Sequence, residues 1–146
     1  MHFEDFKLKQ AFSTRGRTVT ETDVVVFSTL TGAFNSLFLN EDYARKSRFG
    51  SRIVPGYLTA SIATGLIYQL PDSPFENGFI ALLSSSFNAL KSVKIGDTIY
   101  CDVVVKSKQE KERTGIITLE SSVRNQSGEK VLEITHTILV EKRSAA

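Results

Sequence analysis

The chain has 146 residues, which suits one compact domain over 1–146, and its 41% hydrophobic and 23% charged residues give an ordinary globular balance. A net charge of +2, with Lys and Arg scattered among Asp and Glu, argues against a nucleic-acid surface, which needs a concentrated basic stripe. Cys101 is the single cysteine, so neither an internal disulfide nor a thiolate metal cluster is available, and a core of this size needs neither.

Met1-His2-Phe3-Glu4-Asp5-Phe6 lacks the basic-then-apolar pattern of a signal peptide, and no apolar run is long enough to span a bilayer, so a cytoplasmic protein is expected. Phe6 to Thr14 reads as a short edge strand. Thr20 with Asp23 three residues on forms a capping box for a helix over Glu21 to Leu30, with Val24, Phe27, Ser28 and Thr31 on one face. Gly32, free to take positive φ, ends it. The connection from Ala33 to Leu39 is unusually apolar for a surface loop and is expected to be covered by the rest of the fold or by a partner. Asn40 caps a short helix from Glu41 to Lys46. Ser47 to Gly56 reads as loop and leads into Tyr57 to Leu70, a small, apolar, uncharged helix expected to be buried over most of its circumference. Pro71 and Pro74 stop it.

From Phe79 the hydrophobic period becomes two. Strands are predicted at Phe79–Leu90, Thr98–Lys106, Gly115–Arg124 and Lys130–Val140, and the short links between them predict antiparallel neighbours. Cys101 lies in one strand as a small packed hydrophobe. His136 shares the apolar face of Leu132, Ile134, Ile138 and Val140 in the last, which suits a core histidine. Glu141-Lys142-Arg143 reads as a solvated chain end. One apolar helix followed by four strands predicts an α+β fold, an antiparallel sheet of about five strands wrapped round the helix. Its open edges call for at least a dimer.

Phe27-Ser28-Thr29-Leu30-Thr31-Gly32-Ala33-Phe34-Asn35-Ser36-Leu37-Phe38-Leu39-Asn40, then Tyr43-Ala44, Ser47-Arg48-Phe49-Gly50 and Ile53-Val54-Pro55-Gly56-Tyr57-Leu58, resemble the MaoC-like hotdog hydratases. The family pattern there runs F-x-x-L-[ST]-G-D-x-N-P-[IL]-H-x-[DN], then Y-A, [ST]-x-F-G and I-[VA]-[HP]-G-x-L. The resemblance covers nearly the whole chain, and it implies a hotdog fold and (R)-specific enoyl-CoA hydratase or 3-hydroxyacyl-thioester dehydratase chemistry, a lyase activity of fatty acid metabolism. An Asp and a His would activate water for addition to an enoyl thioester of CoA or acyl carrier protein, in a tunnel at a dimer interface. Amides near Gly56, at the start of the central helix, would polarise the thioester carbonyl, as the unpaired N–H groups of a helix N-terminus are suited to do.

This chain departs from the pattern where the chemistry lies. The Asp position holds Ala33, the His position Phe38, and the Pro of N-P is Ser36. Neither Ala nor Phe transfers a proton, and one positioned acid–base group contributes roughly a hundred- to ten-thousand-fold. Asn35, Pro55 and Gly56 remain as expected substrate-binding positions. Ser61 either faces the site or serves close packing, and Arg45, Lys46, Arg48 and Arg52 either contact the phosphates of CoA or a carrier protein or form a solvated face. No Cys/His cluster for a metal and no dinucleotide loop occurs, so no cofactor beyond the thioester ligand is expected. Two functions follow. One is a non-catalytic acyl-thioester-binding homologue or partner subunit, as a homodimer or paired with a dyad-bearing hotdog chain. The other is a divergent hydratase or dehydratase with another water-positioning group.

Overall fold

The computed structural model describes residues 1–144. A 3-10 turn, Phe3–Asp5, opens the chain, followed by β1 (Ala11–Ser13), β2 (Arg17–Thr18), α1 (Glu21–Thr31), α2 (Ser36–Leu39), α3 (Glu41–Arg45), α4 (Gly56–Tyr68), β3 (Phe79–Ala89), β4 (Thr98–Glu110), β5 (Thr114–Arg124) and β6 (Lys130–Glu141). Of the strand predicted over Phe6 to Thr14 only Ala11–Ser13 forms, and β2, just beyond it, was not predicted; both are antiparallel to β4.

Local signals explain the helical half. Thr20 accepts from the Asp23 amide at 3.3 Å while the Asp23 carboxylate accepts from the Thr20 amide at 2.9 Å, so two orphan donors of α1 are satisfied reciprocally. Gly32, at φ 78°, closes α1 in a left-handed conformation that few side chains tolerate. The apolar connection after it is a short helix where a loop was expected. Asn35 supplies the reason, since its Oδ1 accepts from the Leu37 amide at 2.9 Å and caps α2. Asn40 repeats the device for α3 at 3.0 Å.

The sheet order is β1-β4-β5-β6-β3, with β2 also on β4. The expected pairing of the first long strand with the second is therefore wrong. Only β4, β5 and β6 form a meander, and β3 joins its far side against β6. Residues 90–97 are long enough to permit this. Three strand spacings amount to about 14 Å, and eight extended residues reach roughly 26 Å. Val54 donates to Val93 at 2.7 Å and Ile53 bridges to Lys94, so the link is held as it crosses the end of the sheet.

Ile99, Cys101, Val103 and Val105 on β4, with Leu132, Ile134, Ile138 and Val140 on β6, alternate inward as the pleat requires. The sheet closes round α4, which buries Leu58, Ile62, Ala63, Leu66 and Ile67 in the hotdog arrangement. Each fully buried Ile or Leu contributes about 1.5–3 kcal/mol. Tyr57, Ser61 and Tyr68 form the uncovered stripe of α4. Glu141 and Arg143 are exposed, as expected of a solvated end, yet the segment is also tied down, with Lys142 on Glu110 and Arg143 on Asp5.

Candidate functional site

The stretch from Ala33 to Leu39 is anchored on both sides. The Ala33 amide donates to Thr31 Oγ1 at 3.2 Å, and Phe38 packs against the hydrophobic core. The Leu37 carbonyl accepts from Ile53 at 3.1 Å, tying α2 to the loop that enters α4. Asn35 is engaged as the α2 cap. The expected cover over this segment is incomplete within one chain, because Phe34 is 68% exposed.

The four cations beside it differ in what they hold. Arg52 donates to Glu41 at 2.6 Å and to Glu21 at 2.9 Å, so its guanidinium is committed within the fold. Lys46 pairs with Asp42 at 3.1 Å and Arg45 lies 3.7 Å from Glu41, both on the surface. Arg48 is exposed and makes no ion pair among the described residues.

At the start of α4, Pro55 is the N-cap and offers no side-chain bond. Its carbonyl accepts from Leu58 at 3.0 Å and Thr59 at 3.1 Å, while the amides of Gly56 and Tyr57 find no acceptor among the described residues. Such amides carry the positive end of the helix dipole and suit a carbonyl oxygen that gains negative charge. Along the uncovered stripe runs a cavity of about 660 Å³ between α4 and the strands β3 and β6, with Ser61, Thr64, Phe87 and His136 in its wall. Tyr57 and Phe87 meet edge to face at 5.1 Å at its end nearer Gly56. His136 is 2% exposed, and burial pushes its imidazole pKa below the ordinary value. Its Nε2 lies 3.1 Å from the Thr64 hydroxyl, and Nδ1 has no partner.

Residues 5–126 match the family described as MaoC like domain, well over half of the chain. The chain belongs to this family of MaoC-like hydratases and dehydratases. It is 29% identical over 142 residues to an (R)-specific enoyl-CoA hydratase of Rhodospirillum rubrum, covering 97% of this chain and 93% of that one. It is 27% identical to a 3-hydroxybutyryl-CoA dehydratase of Methylorubrum extorquens, covering 100% and 88%. Among solved structures, a monoamine oxidase regulatory protein from Archaeoglobus superposes with a TM-score of 0.92 at 35% identity, covering 99% of this chain and 96% of that one.

Of the positions singled out in this MaoC-like domain by sequence, Gly56 and Pro55 lie at the open helix end and Ser61 lies in the cavity. His136, read as a core histidine, is indeed buried, yet it also forms cavity wall. Thr64 and Phe87 were missed. The available signals were faint, a lone polar side chain on the apolar face of β6 and the Ser84-Ser85-Ser86 run in β3. Cys101 is packed as expected, with its thiol pushed up to about 12 by burial, far from a nucleophile's range.

Proposed function

We propose that this MaoC-like domain holds the acyl thioester of CoA or acyl carrier protein without hydrating it, as a non-catalytic homologue or partner subunit of a hydratase that keeps both acid–base groups. One observation carries the reading. On the resemblance drawn from the sequence, the positions where the family places Asp and His hold a methyl group, Ala33, and a phenyl ring packed on the core, Phe38.

No nearby group substitutes for them. Glu41 is engaged by Arg52 and Arg45, and Asp42 by Lys46. His136 bonds Thr64, eight residues along α4 from Gly56 and so about 12 Å away by helical rise, too far to serve the carbon two bonds from a thioester carbonyl held there. What remains is binding capacity. The free amides of Gly56 and Tyr57 suit a thioester carbonyl, and the names of the relatives, an enoyl-CoA hydratase and a 3-hydroxybutyryl-CoA dehydratase, support CoA thioesters as ligands. Exposed Arg48 suits a phosphate.

The second subunit has a place to dock. β3 is the outer strand of the sheet, and Ile80, Leu82 and Leu83 on it are exposed. Such an edge supports pairing with another hotdog chain, either a copy of this one or a dyad-bearing relative.

The test is purified protein with crotonyl-CoA, followed by loss of the enoyl absorbance. The expected result is binding without turnover by this chain alone, and gain of hydration in the variant carrying Ala33→Asp with Phe38→His. Turnover by the unaltered chain at ordinary enzyme rates, on the order of 1–1000 per second, sinks the reading.

A further inference from the structure

We propose that Gly65 is a specificity-determining residue, whose missing side chain opens the cavity beside α4 to the long acyl chain of a thioester seated at Gly56. The inference rests on the thioester-binding reading and adds which acyl groups fit.

A glycine within a helix is less favourable than alanine, because its backbone loses more freedom on folding. Three structural needs ordinarily justify that cost: a helix stop, a left-handed backbone, or the close approach of a neighbouring element. None applies to Gly65. The C-cap of α4 is Gln69, four residues further on. Gly65 is not among the glycines with positive φ. A Cβ added to it would meet no atom of the described residues within 4 Å.

The space left open belongs to the cavity. Gly65 is partly exposed and lines it with Tyr68 of α4 and with the apolar side chains Leu82, Phe87 and Ile134 of the sheet. Phe87 also ties the cavity to the helix start, since its Cε2 lies 3.6 Å from where a Cβ on Gly56 would sit. A thioester whose carbonyl meets the amides of Gly56 and Tyr57 can therefore run its acyl chain past Phe87 and along α4. Nine residues of helical rise, about 13.5 Å, separate Gly56 from Gly65. A butyryl group ends well short of that point, whereas a dodecanoyl chain reaches it and needs the room that a side chain would fill. Beyond Gly65, Tyr68 stacks on buried Phe75 at 4.3 Å, which fixes the far wall.

Calorimetric titration of the full chain with butyryl-CoA and with dodecanoyl-CoA tests the proposal. The unaltered chain is expected to bind the longer thioester about tenfold tighter or better. Gly65→Leu is expected to cut the ratio of the two affinities about tenfold, with Gly65→Ala between it and the parent. Both substitutions replace glycine by a better helix former, so both variants should unfold no lower than the parent, and lost binding cannot be put down to lost fold. An affinity ratio that Gly65→Leu leaves unchanged, or equal affinity of the unaltered chain for both ligands, overturns the assignment to Gly65 and leaves the thioester reading standing. If both affinities of Gly65→Leu fall alike and its gel-filtration volume shifts, the assignment is overturned in favour of a contact with a second chain. Failure of both ligands to bind the unaltered chain overturns the thioester reading and this proposal together.

Discussion

Arg52 donates from Nε to Glu41 at 2.6 Å while its terminal nitrogen holds Glu21 at 2.9 Å, so one side chain clamps the first turns of α1 and α3 to the loop that enters α4. Its side chain is only 15% exposed, unlike the carboxylates it holds. Removing the guanidinium takes Glu21's ion-pair partner and leaves Glu41 only Arg45 at 3.7 Å, and Arg52→Ala is expected to cost about 1–2 kcal/mol. Arg52→Lys should recover only part of this, because one ammonium does not reproduce the planar fork that grips two partners. Urea denaturation of the three proteins checks it. An alanine variant with the parent's midpoint means the clamp contributes nothing.

The N-terminal turn is held by a fit that allows no added atom. A Cβ placed on Gly115 of β5 would overlap the ring of Phe3, itself covered by the Lys108 ammonium 4.4 Å from its centroid. Gly115→Ala is expected to destabilise by about 1–3 kcal/mol as the ring is forced out. Phe3→Ala removes the obstacle, so the double variant should lose clearly less than the two single losses added together. Additive losses in a thermal-unfolding cycle would show that the two residues do not interact.

Much of this architecture was legible because it is local. The Thr20–Asp23 box, the Gly32 stop and the Asn40 cap lie within a few residues of the helices they bound, and the alternation along β4, β5 and β6 is read one strand at a time. The place of β3 was not legible, because nothing in Phe79–Ala89 says which strand lies beside it. Its partner β6 is some fifty residues on, and the pairing depends on a link that crosses the sheet end. The site divides in the same way. Asn35, Pro55, Gly56 and Ser61 could be singled out from a linear pattern. The commitment of Arg52 to Glu21, and the cavity formed where His136 meets Thr64 across 72 residues, exist only once the sheet has closed round α4.

Cys101 offers a check on that closure. It is fully buried on the inner face of β4, its amide bonded to Thr14 Oγ1 at 3.0 Å, and burial holds the thiol near 12. Alkylation requires the thiolate and access to it, so native protein at about pH 8 should resist iodoacetamide while urea-unfolded protein, with a thiol near 8.5, reacts readily. Mass spectrometry of the labelled protein reads the difference. Equal labelling of both forms would mean that β1 and β4 open easily.

His136 makes stability depend on pH in a direction that burial dictates. Its folded pKa lies below the ordinary value of 6.5, because desolvation disfavours the imidazolium. As pH falls below about 6.5 the unfolded chain takes up a proton that the folded chain refuses, so the unfolded state gains and stability drops. The loss deepens until pH passes under the folded pKa, where both states are protonated and it levels off. Conversely, stability rises with pH through that window. His136→Leu removes this contribution and leaves every other titrating group in place, so its stability should vary less steeply between about pH 7 and 5 than the parent's. Denaturation midpoints taken across that range separate the outcomes. A steeper parent curve marks an imidazole that must lose its charge to stay folded, and parallel curves mark one that water reaches freely.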